Sequence, residues 1–142
     1  LDKKPLGQDF WYPTGDLAEY SESGCIRVVG RKKSIIKAAD GQIIFPREIE
    51  DILNNHPDVQ DSCVFSVHDK FGIERLAAAV EVTNEERVGK IEQSLLKKVM
   101  SELEKVKTPS SIIVLQALPR LARGKPDIPN LRQIYYRQGL QF

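Results

Sequence analysis

Three short apolar runs limit the folds open to this chain: Ser62–Val67, Leu76–Val82 and Ile112–Leu115. Their length and the turn residues that bound them read as buried strands, and the segments between them carry helical rather than alternating periodicity. Pro46 suits the first turn of a helix because its φ is already fixed. Ile49, Ile52 and Leu53 then recur at helical spacing until Asn54-Asn55-His56-Pro57 ends the element. From Arg87 to Lys107, Val88, Ile91, Leu95, Val99, Leu103 and Val106 step by three or four residues, which predicts one long amphipathic helix stopped by Pro109. Pro129 opens a last short helix carrying Leu131, Ile134 and Tyr135. The expected class is α+β: a small domain with a central sheet of about three strands flanked by helices.

The first thirty residues read differently. Turn residues at Pro5, Gly7, Pro13, Gly15 and Gly24 surround two short runs, 16–20 and 25–30, which predict a β-hairpin. Gly24 in the connecting turn is free to take positive φ. Two strands alone are marginal in water, so this hairpin is expected to belong to a structure upstream. The boundary falls at the cationic stretch Gly30-Arg31-Lys32-Lys33.

Composition removes whole classes of function. With 21 Lys and Arg against 20 Asp and Glu in 142 residues the net charge is +1, whereas a dedicated nucleic-acid binder needs a clear basic excess to neutralise phosphates. No run approaches the roughly 20 apolar residues of a membrane span, and the first ten residues lack the apolar stretch of a secretion signal. Cys25 and Cys63 lie far apart in apolar stretches and read as two reduced core cysteines, not a disulfide or metal set. A reducing cytoplasm is the expected location. His56 and His68 have no matching Cys or carboxylate pattern, so neither is read as a metal ligand and no metal site is expected.

Three clusters could carry chemistry. Thr14-Gly15-Asp16 offers a hydroxyl, a permissive glycine and a carboxylate suited to a sugar diol, though an ordinary capped turn has the same composition. Gly30 to Lys37, followed by Ala38-Ala39-Asp40-Gly41-Gln42, is either a solvated segment or a site for anionic groups. Leu118 to Asp127 sets Lys125 after a glycine in a polar loop, where its long stem could bring a point charge to a phosphate or carboxylate. It is not a P-loop, because the upstream glycine is missing and Pro126 replaces the hydroxyl residue.

The order of these clusters is more telling than any one of them. Thr14-Gly15-Asp16, Gly24, Gly30-Arg31-Lys32-Lys33, Gly41, Pro46-Arg47-Glu48-Ile49-Glu50, His56-Pro57, Leu118-Pro119-Arg120 and Gly124-Lys125 together resemble the C-terminal part of the adenylate-forming (AMP-binding) superfamily, in particular of acyl-CoA synthetases and fatty-acid–CoA ligases. The resemblance implies that a carboxylic acid and ATP·Mg²⁺ form an acyl-adenylate, after which the thiol of coenzyme A takes the acyl group and AMP leaves. It further implies that Asp16 holds the ribose hydroxyls with help from Arg31, that Lys33 is the hinge, and that Lys125 serves the adenylation step. Lys37 and Gly41, beside Asp40, would serve thioester formation. Residues 1–32 would be the end of the large AMP-binding domain and 33–142 the mobile C-terminal domain. Relatives place the acyl pocket and the ATP-phosphate loop in that large domain, so the chain is not expected to catalyse alone.

The sequence departs from the common pattern at Ser34, Pro13 and Arg123, and Lys37 to Pro46 is one residue longer than the commonest spacing, as in some long-chain synthetases. Two other readings are an adenylation domain that loads a carrier protein and a non-catalytic interaction module. Trp11 and Tyr12 read as packing residues of the large domain.

Overall fold

The structure is a computed structural model and describes residues 12–38, 40–84, 86 and 89–139. Trp11, Arg87 and Val88 therefore lie outside the described residues. Strands β1 (Asp16–Tyr20) and β2 (Ile26–Arg31) pair antiparallel as the expected hairpin. A short 3₁₀ turn over Lys32–Ser34 leads into a two-stranded ribbon of β3 (Ile36–Lys37) and β4 (Ile43–Ile44), which the sequence patterns did not predict.

The remainder is built on a three-stranded sheet in the order β5-β6-β7. β5 (Val59–His68) runs antiparallel to β6 (Glu74–Val82), and β7 (Ser111–Leu115) runs parallel to β6. Helix α1 (Pro46–Asn54) precedes β5, α2 (Glu92–Glu102) forms the crossover from β6 to β7, and α3 (Ile128–Arg137) follows the sheet.

Both faces of the sheet are covered. Side chains alternate along a strand, so Ala78 and Val80 of β6 join a core with Ile49 and Leu53 of α1 and Leu95 and Val99 of α2, while Ala77 and Ala79 join one with Leu131 and Tyr135 of α3. A strand buried on both faces reads as a continuous apolar run, which explains the composition of β6. Leu53, Leu95 and Leu131 are fully buried, and each contributes roughly 1.5–3 kcal/mol through the apolar area it removes from water. Arg132 of α3 adds a polar tie by donating from Nε to the Ser66 carbonyl at 2.7 Å.

The long helix expected over 87–107 is shorter. Gly89 takes φ of 88°, outside helical geometry, and Leu103 is extended at φ −126° and ψ 160°. Val106 instead sits in a separate 3₁₀ turn, Lys105–Lys107. That turn is tied to α1 by Lys107 Nζ, 2.9 Å from Glu48 Oε2. The apolar stripe is real, since Ile91, Leu95 and Val99 are buried, but its ends pack through turns. Cys25 also departs from expectation: Cys63 is buried as predicted, whereas Cys25 is exposed at the start of β2's approach.

Hairpin loops over 21–25, 38–42, 69–73 and 121–125 share one design. The first residue donates its N–H to the carbonyl of the fifth, and the fourth, always glycine, donates back to the carbonyl of the first. Those glycines, Gly24, Gly41, Gly72 and Gly124, have φ of 80°, 86°, 77° and 83°. Such loops need a left-handed residue, which costs a residue with a side chain roughly 1–2 kcal/mol. Parts of two of the clusters singled out in the sequence thus lie on hydrogen-bonded turns.

Candidate active site

The hairpin leans on the start of α1, where Gly30 comes so close to Phe45 that an added Cβ would lie 3.3 Å from its ring. Beneath this contact opens a cavity of about 580 Å³, and Asp16, Arg31 and Lys125 all line it. These residues come from three separate parts of the chain.

Asp16 and Arg31 are directly opposite across the β1–β2 ladder. Arg31 Nε lies 3.0 Å from Asp16 Oδ1. The turn before Asp16 is held by two bonds, Asp16 N–H to Thr14 Oγ1 at 3.2 Å and Lys32 N–H to the Gly15 carbonyl at 2.9 Å. Thr14 and Gly15 therefore shape the position of the carboxylate. Lys33 is exposed in the 3₁₀ turn that links β2 to the ribbon.

Lys125 closes the loop 121–125, whose flanks Arg120 and Pro126 form an isolated antiparallel bridge. Arg123, two residues before Lys125, is exposed and is not among the lining residues of the cavity. The cavity wall formed by α1 and β5 carries Glu50, Asp61 and Cys63. Burial raises the Glu50 carboxyl above its ordinary range, even though it accepts a hydrogen bond from Val64 N–H at 2.8 Å. The Cys63 thiol is pushed up to about 12, first by burial and then by the nearby Glu50 and Asp61 carboxylates. It is accordingly a packing thiol, not a nucleophile.

Lys37 and Asp40 stand elsewhere. With Arg75 and Lys105 they line a second cavity of about 640 Å³ between the β3–β4 ribbon and the segment after α2. Gly41 caps the turn of that ribbon, and Asp40 Oδ1 accepts from Gln42 N–H at 3.0 Å. Of the predicted site residues, Asp16, Arg31 and Lys125 thus line one cavity and Lys37 another, while Gly41 and Lys33 lie in turns that line neither.

Two acids that no sequence motif contained stand at or near the first cavity, and Asp61 lines it. Asp61 and Glu81 lie opposite each other on β5 and β6, and Arg120 reaches both. The pairing depends on a register shift between Val59 and Asp61 that no pattern in the sequence announces. His56 has turn duty, its Nδ1 accepting from Asp58 N–H at 3.2 Å. Among the described residues no group of three or more His, Cys, Asp or Glu could hold a metal ion. No helix among them is long and apolar enough to cross a membrane.

Comparison with known proteins identifies the family. Residues 48–125 match the family described as the AMP-binding enzyme C-terminal domain. The chain is 36% identical over 125 residues to a medium-chain fatty-acid–CoA ligase of Escherichia coli, covering 88% of this chain and 22% of that protein. It is 33% identical to the mitochondrial medium-chain acyl-CoA ligase ACSF2 of Rattus norvegicus, covering 90% of this chain and 20% of the relative. Among solved structures, ATP-bound MatB from Rhodopseudomonas palustris superposes with a TM-score of 0.68 at 30% identity, over 86% of this chain and 24% of that one. A fatty acyl CoA synthetase of Mycobacterium tuberculosis does so with a TM-score of 0.67 at 28% identity, over 92% and 25%. The chain therefore spans only about a fifth to a quarter of the length of these relatives. In sequence and in fold, it belongs to the AMP-binding enzyme C-terminal domain family, the C-terminal module of adenylate-forming enzymes.

Proposed function

We propose that this chain is the C-terminal part of an ATP-dependent acyl-CoA synthetase acting in the cytoplasm. In the first step a carboxylate oxygen of the acid attacks the α-phosphorus of ATP, and pyrophosphate leaves. In the second, the sulfur of coenzyme A attacks the acyl carbon, forming the thioester and releasing AMP. Residues 1–32 close the large AMP-binding domain, and 33–142 form a mobile domain that pivots at Lys33. The partners of this chain are then its own N-terminal domain, a small carboxylic acid and coenzyme A.

The observation that supports this reading is the convergence of Asp16, Arg31 and Lys125 on one cavity. Asp16 offers acceptor oxygens to the ribose hydroxyls, and Arg31 holds that carboxylate in place. Lys125 brings a fixed positive charge to the point where carboxylate and phosphate oxygens crowd together, so it favours the transition state more than the separated reactants. Lys37 lines the other cavity, and Gly41 sits in the turn of the same ribbon, consistent with a second step served by another face. Magnesium would enter as part of the ATP substrate, and we assign no residue of this chain to it.

Lys125→Ala in the full-length protein is expected to lower acid-dependent ATP–pyrophosphate exchange by about a hundredfold or more. Thioester formation from preformed acyl-adenylate should persist. Unchanged pyrophosphate exchange would overturn the role given to Lys125.

A further inference from the structure

We propose that Arg120 is a positioning residue for Lys125, acting as a clamp that fixes the lysine loop to the sheet. This rests on the adenylation role given to Lys125 above. An electrostatic conflict lies beside the loop. Asp61 and Glu81 are Cα partners on neighbouring strands, and like charges directly opposite each other in an antiparallel pair destabilise it. Arg120 lies between them, with Nη2 2.6 Å from Asp61 Oδ2 and 3.6 Å from Glu81 Oε2.

The same guanidinium faces the loop from its other edge. Arg120 Nη1 donates to the Gly124 carbonyl at 3.1 Å, and that carbonyl belongs to the peptide unit joining Gly124 to Lys125. Glu81 supports the approach by accepting from Leu118 N–H at 2.8 Å. Across the loop, Leu121 N–H donates to the Lys125 carbonyl at 2.8 Å.

The planar fork of arginine can serve an acid pair and a carbonyl at once, whereas lysine is a single point charge on a flexible stem. Arg120 therefore neutralises the acidic pair and uses it as a fixed support for the peptide unit that leads into Lys125. Nothing in this places Arg120 on the substrate: its effect passes through the lysine.

The test combines two measurements. In the full-length protein, Arg120→Gln should lower the adenylation rate by about tenfold to a hundredfold, the cost of misplacing a reacting group by about an ångström. The thioester step from preformed acyl-adenylate should be unchanged. Arg120→Lys should recover part of the loss, and Arg120→Gln combined with Lys125→Ala should be no slower than Lys125→Ala alone. Additive losses in the double variant would overturn the proposal.

Amide hydrogen exchange on the chain supplies a readout independent of activity. With Arg120→Gln, the Leu121 and Gly124 amides should exchange faster while those of β6 keep their protection. Unchanged exchange at both amides would sink the clamp even if Lys125 proves essential. If Lys125→Ala leaves adenylation intact, the catalytic reading fails while the exchange data still decide whether Arg120 holds the loop. Asp61→Asn provides a second route should Arg120→Gln fold poorly, with the same loss of protection expected.

Discussion

Arg31 Nε sits 3.0 Å from Asp16 Oδ1 across the β1–β2 ladder, so the last residue of one strand orients the first residue of the other. The Arg31 side chain is 65% exposed, and an exposed pair of this kind adds little to folding stability. Under the proposed function its consequence lies in binding. Asp16→Ala should raise the KM for ATP about tenfold to a hundredfold, the scale of losing a hydrogen bond to a charged group. Arg31→Ala should raise it less, and steady-state kinetics should show the effect with a melting temperature close to that of the parent.

The ribbon turn at Gly41 predicts the opposite selectivity. Gly41 has φ of 86° and an added Cβ would meet open space, so Gly41→Ala meets backbone strain and no local clash. The strain is about 1–2 kcal/mol. Stopped assays of the two half-reactions should show slower thioester formation from acyl-adenylate and an adenylation rate near that of the parent. Loss of both rates together would count against a separate face for the second step.

Glu50 carries a pH signature. Burial raises its folded-state value above the ordinary value of 4.5, so the folded protein holds this proton more tightly than the unfolded chain. The resulting stabilisation is complete below about 4.5 and is lost as pH rises through the folded value. Glu50→Gln keeps an acceptor for Val64 N–H without the desolvated charge. Its stability relative to the parent should therefore increase as pH is raised from 4 to 8, measured by urea unfolding. A constant difference over that range would refute the assignment.

The elements that the sequence made legible are those whose signals are local. Pro46 and Pro129 mark helix starts within a residue of the observed ones, and glycines mark the turns, because fixed φ and left-handed φ are properties of single residues. The extent of α2 was not legible. The stripe through Val106 reflects burial against one core, and burial does not require one continuous helix. The ribbon of β3 and β4 was missed because strands of two residues carry no periodicity.

The chemistry divides in the same way. Asp16, Arg31, Lys125, Lys37 and Gly41 were candidates through the ordered motifs and the resemblance they carry. That the first three line one cavity and Lys37 another could not be read there, since it depends on how the hairpin and the loop 121–125 fold back over α1 and β5. The clamp at Arg120 was equally hidden. Its acids are 20 residues apart in sequence and become neighbours only through the β5–β6 register. Residue chemistry and local backbone preference are written along the chain, whereas the meeting of distant charges is set by strand pairing and packing.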